Sequence, residues 1–515
     1  MKTIAFLENE VWWGTGVVLA KDMPFDKNTD KKMGFVTKEY SLGASNQVTT
    51  MFLSNKGRYI WINEPYDVHI KDGVFNFSTD NLEVVEAGTC LRDAYRAARD
   101  KHFPFKGDPI ETKFFETAQY NTWIELMYNQ NQKQILEYAR KIVELGFEPG
   151  ILMIDEGWQQ NYGMWDWHTG RFPDPKAMVD ELHELGFSVM LWVVPWVAAD
   201  CAAYRQLTMV DWRNHHFLRT KDDKIALMEW WNGVSVILDS KKEADMKFLG
   251  DQLQKLIDDY GVDGFKFDGG STDAYVHSLN GDVDDTYTEF ERNLAWNEFG
   301  YKYKFHEYKD TYNFAGNSMV SRLCDKLHRW ERNGLNELIP NGLVSGILGY
   351  PFICPDMIGG GEYFSFLQPD FKFDQELFIR MCQCSTFFPM MQYSLAPWRV
   401  LSPENLQIAV NNAKLHTKFA DYIVGLVNDS TKTGEPIIKM MEYAYPGNGY
   451  EYIVDQFLLG DDMLIAPVIT KGAVTKDVVF PEGKWEDENG NIYEGPATIT
   501  VDAPLEVLPY FKKVK

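Results

Sequence analysis

Acidic side chains follow four apolar segments in the middle of this 515-residue sequence, each at the place where a predicted strand ends. They are Asp155, Asp268, Asp325 and Asp356. In a barrel of alternating strands and helices, the carboxyl ends of the strands form one mouth, and the active site of such a barrel lies there. Residues at these positions are therefore candidates for function. Four carboxylates at one mouth repel one another unless they bind a metal, share protons or contact a hydroxyl-rich ligand. A sugar meets the third condition.

Metal binding is the first alternative to a sugar site. Zinc and iron sites usually recruit histidine, and none of the ten histidines stands at a strand end beside these acids; His168 and His328 are the nearest, in loops. Magnesium accepts carboxylates alone but normally accompanies a phosphate substrate, and the sequence has no glycine-rich phosphate motif. We therefore predict no metal and no cofactor, and magnesium stays the lesser alternative.

Tryptophan is the second chemical signal. Flat aromatic faces stack on the apolar faces of sugar rings, while carboxylates accept hydrogen bonds from the sugar hydroxyls. The alternative is that these large aromatic side chains simply fill the hydrophobic core. For any single tryptophan, core filling is as good an interpretation as sugar stacking. Clustering beside the acids favours sugar binding, above all for Trp192 and Trp231. The tryptophans in question are Trp158, Trp165, Trp167, Trp192, Trp196, Trp230, Trp231, Trp330 and Trp398.

Two carboxyls that flank a glycosidic bond provide the nucleophile and the proton donor of a retaining glycosidase. We predict Asp268 as the nucleophile, because Lys266 on the same strand would keep its carboxylate ionised. We predict Asp325 as the general acid/base, which requires a raised pKa and a carboxyl about 5–5.5 Å from the nucleophile. Capping of the following helix is the alternative role for a lone aspartate at a strand end.

Three regions of different pattern must position these residues. Short β-branched or aromatic runs up to about residue 115 predict an antiparallel sandwich, and β-type text returns after about residue 430. Between them, apolar strands alternate with amphipathic helices, which predicts a (β/α)8 barrel; a doubly wound sheet would want a glycine-rich turn after its first strand. The chain is thus predicted to be a multidomain α/β protein with an N-terminal β-sandwich (1–112), a central (β/α)8 TIM barrel (113–428) and a C-terminal β-sandwich (429–515).

Seven strands of the predicted barrel are visible in the sequence, and a fifth strand between them is placed within Tyr308–Phe314. Helices are predicted between the strands, for example over Asn131–Leu145 and Lys241–Tyr260, from their apolar stripes. The seven visible strands are Lys113–Gln119, Gly150–Asp155, Ser188–Pro195, Gly264–Asp268, Met319–Leu323, Pro351–Pro355 and Phe387–Tyr393.

Composition excludes several other classes of protein. The net charge of −24 argues against nucleic acid or anionic lipid as the partner. Six cysteines without a C-x-x-C pair indicate reduced thiols rather than a disulfide scaffold. No apolar run is long enough for a membrane span, and the first residues lack the apolar region of a signal peptide. We expect a cytoplasmic protein that binds an oligosaccharide or glycoside, although a trimmed secreted form would look the same.

Five sequence blocks follow one another along the chain: Trp231–Asp239 (WNGVSVILD), Phe265–Gly270 (FKFDGG), Asp325–Pro340 (DKLHRWERNGLNELIP), Gly349–Gly360 (GYPFICPDMIGG) and Gln456–Val468 (QFLLGDDMLIAPV). In this order they resemble glycoside hydrolase family 31, the retaining α-glycosidases, over nearly the whole chain. The resemblance implies Asp268 as nucleophile and Asp325 as acid/base; Asp356 competes for the second role, but Arg322 three residues before Asp325 favours Asp325. It also implies that Asp155, Arg322 and Asp356 bind sugar hydroxyls in the −1 subsite and that Trp192 and Trp231 wall the pocket. Lys266, on the strand of the nucleophile, is predicted as a further substrate-binding residue.

Departures from the family pattern bear on the sugar. Near the eighth strand, family members often have F-x-P-F-x-R-x-H, whereas this chain reads FPMMQYS, so Gln392 and Ser394 replace an arginine and a histidine. Together with the Gly269-Gly270 pair after Asp268, this moves the resemblance toward the α-galactosidase-like branch. An α-galactosidase is the expectation; α-glucosidase, α-xylosidase, α-N-acetylgalactosaminidase, sulfoquinovosidase, transglycosylase and a non-catalytic carbohydrate-binding protein stay open.

Overall fold

The computed structural model describes residues 2–37 and 46–514. The chain forms two compact units. The first unit consists of Met1–Thr117, Ala315–Gln392 and Pro397–Lys515, and the second of Ala118–Phe314 and Tyr393–Ala396.

The strands and helices follow in chain order. The strands are β1 (Lys2–Ala5), β2 (Trp12–Gly16), β3 (Lys31–Gly34), β4 (Gln47–Ser54), β5 (Arg58–Ile62), β6 (Asp67–Lys71), β7 (Val74–Phe77), β8 (Leu82–Glu86), β9 (Gln119–Asn121), β10 (Ile151–Ile154), β11 (Gln159–Asn161), β12 (Met164–Trp167), β13 (Ser188–Val193), β14 (Trp196–Val197), β15 (Met228–Trp230), β16 (Gly233–Ile237), β17 (Gly264–Phe267), β18 (Phe305–Tyr308), β19 (Thr311–Tyr312), β20 (Ser321–Arg322), β21 (Ile353–Cys354), β22 (Met357–Ile358), β23 (Gln392–Tyr393), β24 (Ile438–Lys439), β25 (Phe457–Leu459), β26 (Met463–Ile465), β27 (Thr475–Glu486), β28 (Ile492–Asp502) and β29 (Tyr510–Val514). The α-helices are α1 (Leu91–His102), α2 (Lys113–Glu116), α3 (Trp123–Leu126), α4 (Gln132–Glu144), α5 (Pro175–Glu184), α6 (Ala202–Arg205), α7 (Glu243–Tyr260), α8 (Glu289–Tyr301), α9 (Leu338–Ile347), α10 (Phe364–Leu367), α11 (Gln375–Thr386), α12 (Pro397–Val400), α13 (Pro403–Lys418), α14 (Ala420–Thr433) and α15 (Met441–Ala444).

Two antiparallel sheets occupy the N-terminal part of the first unit. One has the strand order β1-β7-β6-β3, and in the other β4 pairs with β2 and β5, and β5 with β8. Aromatic side chains of the two sheets meet: the ring of Phe75 on β7 lies 4.9 Å from Phe52 on β4 and 5.3 Å from Trp12 on β2. These rings are fully buried, so the two sheets share an aromatic core.

The C-terminal part of the first unit is a six-stranded antiparallel sheet with the order β24-β25-β26-β29-β27-β28. Its strands contribute Leu458, Phe480 and Trp485 to one buried hydrophobic cluster. The preceding helix α11 is tied to this region by Arg380, a buried side chain whose guanidinium donates to the carbonyl oxygens of Ala473 (3.0 Å) and Ala503 (2.9 Å).

The second unit is built on five parallel strands in the order β18-β17-β13-β10-β9. Their order in the sheet is the same as their order along the chain. Helices α4, α5, α7 and α8 lie between them in the chain. Local signals define these helices: the Asn131 side chain caps α4, Asp174 caps α5 ahead of Pro175, and Thr288 with Glu291 forms a capping box on α8. In the first unit, β20 and β21 form a parallel pair.

The structure corrects several predicted strands. Lys113–Gln119 was predicted as a strand, but residues Lys113–Glu116 form helix α2, across which Thr112 Oγ1 donates to Glu116 Oε1 at 2.7 Å, and the strand is β9. The fifth strand is β18, which begins three residues before the predicted Tyr308–Phe314 segment. The strand predicted over Phe387–Tyr393 is reduced to β23, because residues 387–391, which follow the end of α11, form a turn and irregular backbone.

Candidate active site

Asp268 directly follows β17. Its backbone N–H donates to Val193 O on the neighbouring strand β13 at 2.9 Å. Its two carboxylate oxygens are oriented by different donors. Trp192 Nε1 donates to Oδ2 at 3.1 Å, and the Gly269 N–H donates to Oδ1 at 2.9 Å. The side chain stays partly exposed. The carboxylate is therefore fixed in direction and still reachable from outside.

The electrostatic surroundings of Asp268 favour its ionised form. Burial alone would raise the pKa of this carboxyl, but the positive charges of Lys309 and Lys266, with the hydrogen bonds from Trp192 and Gly269, hold the pKa below its ordinary value. An oriented carboxylate that stays charged at neutral pH has the properties required of a nucleophile.

Lys266 and Asp155 form a buried ion pair beneath this carboxylate. Lys266 Nζ donates to Asp155 Oδ2 at 2.8 Å, and both side chains are 3 % exposed. The same oxygen accepts from Asn121 Nδ2 at 2.7 Å, while Oδ1 accepts from the Glu156 N–H at 2.8 Å. Because each charge is paired and hydrogen-bonded, both can stay buried. We call Asp155, Trp192, Lys266 and Asp268 the Asp268 cluster.

Breaking this pair is expected to destabilise the protein strongly. Lys266→Met would leave the Asp155 carboxylate buried without its counter-charge, at a cost of about 3–5 kcal/mol in the free energy of unfolding. Urea denaturation followed by circular dichroism measures it. The matched control is Lys255→Met, whose exposed partner Asp166 lies 3.3 Å away and whose loss should cost under about 1 kcal/mol. Equal shifts for the two variants would contradict the structural role of the pair.

Trp231 lies apart from these four residues, at the tip of the hairpin formed by β15 and β16, and 54 % of it is exposed. Its indole Nε1 donates to both carboxylate oxygens of Glu156, at 3.2 and 3.1 Å. Its ring lies 4.9 Å from the ring of Trp230. Trp192, by contrast, is 1 % exposed, so of the two predicted wall residues Trp231 offers the open ring face.

The first unit holds the other predicted residues as a group around one guanidinium. Arg322 Nη1 donates to Asp325 Oδ1 at 2.7 Å and to Asp356 Oδ1 at 2.8 Å. Asp356 Oδ2 accepts from the backbone N–H groups of Lys326 (2.7 Å) and Gly361 (2.9 Å). Arg322 and Asp356 are each 1 % exposed, whereas the Asp325 side chain is 24 % exposed. We call Arg322, Asp325 and Asp356 the Asp325 cluster.

One positive charge facing two carboxyls leaves the Asp325 cluster with an excess of negative charge. Burial raises the pKa of Asp356 to about 6; Arg322 and Lys326 oppose the rise, and the neighbouring Asp325 adds to it. Coupled carboxyls of this kind titrate as a pair and retain a proton more readily than an isolated carboxyl. Asp356 thus keeps its proton to a higher pH than an ordinary carboxyl does.

The structure groups the predicted residues into these two clusters, with Trp231 attached through Glu156. It also adds residues that were not predicted. Glu156 and Asn121 contact the Asp268 cluster directly, and Lys326 and Gly361 hold Asp356. Glu156 directly follows the strand-end acid Asp155 in the sequence, which was the available signal. Lys326 and Gly361 act through their backbone N–H groups, and Asn121 acts from the separate strand β9. The sequence carried no signal for these three residues.

Within residues 2–37 and 46–514, no helix has both the length and the apolar character needed to cross a bilayer. Across the same residues, no group of three or more His, Cys, Asp or Glu side chains has a geometry that could hold a metal ion.

Comparison with known protein families defines the class of the molecule. The model of the glycosyl hydrolases family 31 TIM-barrel domain matches residues 112–426, and the model of the glycosyl hydrolase family 31 C-terminal domain matches residues 434–514. A TIM-barrel domain with acidic residues at its strand ends and a C-terminal domain is thus present. The chain belongs to glycoside hydrolase family 31.

Individual relatives agree with this membership. The mouse protein named myogenesis-regulating glycosidase is 29 % identical over 405 residues, which cover 76 % of this chain and 55 % of that protein. A 1,3-alpha-isomaltosidase of Kribbella flavida is 26 % identical over 386 residues, covering 66 % of this chain and 50 % of that protein. The chain spans about half the length of these curated relatives.

Among solved structures, the Flavobacterium johnsoniae GH31 dextranase complexed with glucose superposes with a TM-score of 0.81 at 20 % identity. The match covers 99 % of this chain and 66 % of that chain. The cycloalternan-degrading enzyme from Trueperella pyogenes gives a TM-score of 0.82 at 18 % identity, covering 100 % and 80 %. At these identities the likeness concerns the fold.

Proposed function

We propose that this chain is a retaining exo-α-glycosidase that hydrolyses terminal α-linked sugars, with Asp268 as the nucleophile and Asp325 as the general acid/base. The observation that carries the proposal is the Asp268 carboxylate of a family 31 barrel. It is partly exposed, oriented by Trp192 and Gly269, and held ionised by Lys309 and Lys266.

The nucleophile acts in the first half of the reaction. Asp268 Oδ attacks the anomeric carbon, the bond from that carbon to the leaving oxygen breaks, and a covalent glycosyl-enzyme forms. The donors Trp192 Nε1 and Gly269 N keep the carboxylate aimed, which lowers the entropy cost of the attack. In the second half, water attacks the same carbon and releases Asp268, so the configuration of the sugar is retained.

Asp325 is the member of its cluster best placed to exchange the proton. Both oxygens of Asp356 are engaged, by Arg322 and by the backbone N–H groups of Lys326 and Gly361, whereas Asp325 is the more exposed carboxyl. Asp325 donates its proton to the leaving oxygen and later removes one from the attacking water. The proposal requires Asp325 and Asp268 to flank the same glycosidic bond.

The remaining predicted residues are proposed to form the substrate pocket, with the carboxylates and Arg322 in the −1 subsite. Asp155, Arg322 and Asp356 contact its hydroxyls, Lys266 supports Asp155 and Asp268, and Trp192 and Trp231 wall the pocket. These groups stabilise the oxocarbenium-like transition state more than the bound sugar when their contacts strengthen along the reaction.

We propose an α-galactoside as the substrate. Supporting this, Ser394 stands where family members often carry a sugar-contacting histidine, and its Oγ is buried and accepts a hydrogen bond from the Ile124 N–H at 2.7 Å. The Ser394 hydroxyl oxygen is therefore already used as an acceptor by the protein backbone. An α-glucoside is the second candidate, because relatives named alpha-glucosidase match 75 % and 72 % of this chain at 24 % and 23 % identity.

The test is hydrolysis of a panel of p-nitrophenyl α-glycosides, namely galactoside, glucoside, xyloside and N-acetylgalactosaminide, by the wild type and by Asp268→Asn. Turnover of the galactoside that is lost in the variant is the expected result. Turnover of the glucoside alone would replace the sugar but keep the enzyme class. Binding of a sugar by both proteins without turnover of any substrate would favour a non-catalytic carbohydrate-binding protein.

The predicted domain limits and location belong to this proposal as well. We propose that the two N-terminal sheets form the β-sandwich of residues 1–112, followed by the barrel of residues 113–428 and a C-terminal β-sandwich of residues 429–515. The cytoplasmic location stays a prediction.

Gly361 offers a test of the Asp325 cluster. A Cβ at this position would lie 2.5 Å from Asp356 Oδ1 and 2.8 Å from Asp325 Oδ1, so Gly361→Ala should displace both carboxyls. We expect kcat to fall by about 10-fold or more, because small misplacements of catalytic groups are costly. The control is Gly425→Ala in α14, where a Cβ meets nothing within 4 Å and kcat should not change. Unchanged kcat in Gly361→Ala would contradict the assignment.

A further inference from the structure

We propose that Glu156 is a positioning residue that fixes the Trp231 ring at the rim of the Asp268 cluster, and that this pair selects leaving groups with a flat apolar face, such as a pyranose ring. The inference rests on the proposed function and deepens it, because it concerns the part of the substrate that departs.

Glu156 gathers donors from two separate segments. Its carboxylate accepts from Tyr162 Oη at 2.7 Å, from Trp231 Nε1, and from Asn232 Nδ2. The residue is 4 % exposed, and its own backbone N–H donates to Asp155. One buried carboxylate thus connects the Asp268 cluster to the tip of the β15–β16 hairpin. Without it, two adjacent tip residues would lose the acceptor that holds them.

A second connection reaches the same hairpin at Trp230, the residue next to its tip. Trp196 Nε1 donates to the carbonyl oxygen of Gly269, next to the nucleophile, at 2.7 Å. The Trp196 ring stacks on Trp230 at 4.8 Å with an interplanar angle of 2°, and Trp230 lies 4.9 Å from Trp231. The tryptophan rings therefore lead from the residue after Asp268 to an exposed indole. Trp231 is held at its Nε1 edge by Glu156, and half of its surface is open to a ligand that stacks.

The charge on Glu156 varies near neutral pH. Burial raises its pKa to about 7; hydrogen bonds from Tyr162, Asn232 and Trp231 oppose the rise, and the neighbouring Asp155 carboxylate adds to it. Tyr162 is itself faced by Tyr128 and Arg171. The ionised carboxylate accepts all three hydrogen bonds, whereas a protonated one keeps a hydrogen where a donor already points. The grip on Trp231 should therefore weaken as pH falls through about 7.

The experiment compares two substrates that share the sugar identified by the panel: a disaccharide, whose leaving group is a pyranose, and the α-glycosyl fluoride, whose leaving group has no ring. The readout is the ratio of their kcat/KM values. In Glu156→Gln the amide oxygen takes the place of Oε1, to which Tyr162, Asn232 and Trp231 donate, and the NH₂ takes the place of Oε2. The NH₂ then faces the Trp231 Nε1–H that Oε2 accepts from at 3.1 Å. We therefore expect the ratio to fall about 10-fold, mainly through KM of the disaccharide. Trp231→Ala should lower the ratio by a similar factor, and the double variant no further, because both changes remove the same contact.

Trp212→Ala is the matched control, since Trp212 is 57 % exposed elsewhere in the same unit and should leave the ratio unchanged. Trp231→Phe, which keeps a ring but lacks the indole donor, should resemble Glu156→Gln and covers the case in which that variant folds poorly. The wild-type ratio should also fall below about pH 7, and this dependence should vanish in Glu156→Gln.

Three outcomes would overturn the inference: equal losses on both substrates, additive effects in the double variant, or a ratio independent of pH in the wild type. Failure of the wild type to turn over either substrate would instead overturn the proposed function. The two proposals are thereby tested separately.

Discussion

Asp268→Ala is expected to lower kcat by about 10,000-fold on every substrate that the wild type hydrolyses, because the covalent route needs this carboxylate. The loss should be independent of the leaving group, since neither a good nor a poor one compensates for a missing nucleophile. Initial rates with the active p-nitrophenyl glycoside measure it, and an unchanged thermal midpoint shows that the variant is folded.

Added azide distinguishes a missing nucleophile from a damaged site. In Asp268→Ala the removed carboxylate leaves room for a small anion, which should attack the anomeric carbon and restore turnover with a β-glycosyl azide as product. The matched control is Asp273→Ala, five residues along the chain, which should keep wild-type activity and give no azide product. For the wild type, an NMR time course should show the α-anomer of the released sugar first, and early β-anomer would contradict retention.

Asp325→Ala is expected to separate substrates by their leaving groups. A general acid is worth about 100-fold to 10,000-fold when the leaving group is a poor one, and little when it departs without a proton. The variant should therefore lose most of its activity on a disaccharide and keep most of it on the p-nitrophenyl glycoside or the glycosyl fluoride in the glycosylation step. Steady-state and burst kinetics with the three substrates measure the difference.

Asp356→Asn is the comparison that decides between the two carboxyls of the cluster. Asp356 is engaged by three donors and is proposed to bind a sugar hydroxyl, so its loss should lower activity on all three substrates alike. If instead Asp356→Asn were selective for the disaccharide and Asp325→Ala were not, the acid/base would be Asp356.

The strand-end acids were predictable because a carboxylate after an apolar strand is a local pattern. Asp155, Asp268, Asp325 and Asp356 all follow from it, and the family blocks add their roles. Glu156 shows the limit of such patterns. Its partners Trp231 and Asn232 lie 75 and 76 residues further along the chain, so the three-donor site exists only once the β15–β16 hairpin is in place.

The fold was predictable to a similar degree. Strands with four or more successive apolar residues, such as β10 and β13, were placed to within two residues at each end. The two-residue strands β20, β21 and β23 were predicted too long, because their extent depends on the pairing partner rather than on their own sequence. The prediction of a strand over Lys113–Gln119 was wrong for residues Lys113–Glu116, because a short apolar run fits a helical turn as well as a strand.

Arg380 makes the C-terminal sheet indispensable to helix α11. Its buried guanidinium has carbonyl acceptors at Ala473 and Ala503, and the neighbouring Gln383 donates to Leu505 O at 2.8 Å. A chain shortened before residue 434 would lose these acceptors and would expose to water part of helix α11, whose residues Leu377–Thr386 are all buried in the intact protein. The C-terminal domain is thus no detachable module, and engineering of a minimal catalytic fragment would have to replace Arg380 together with Gln383.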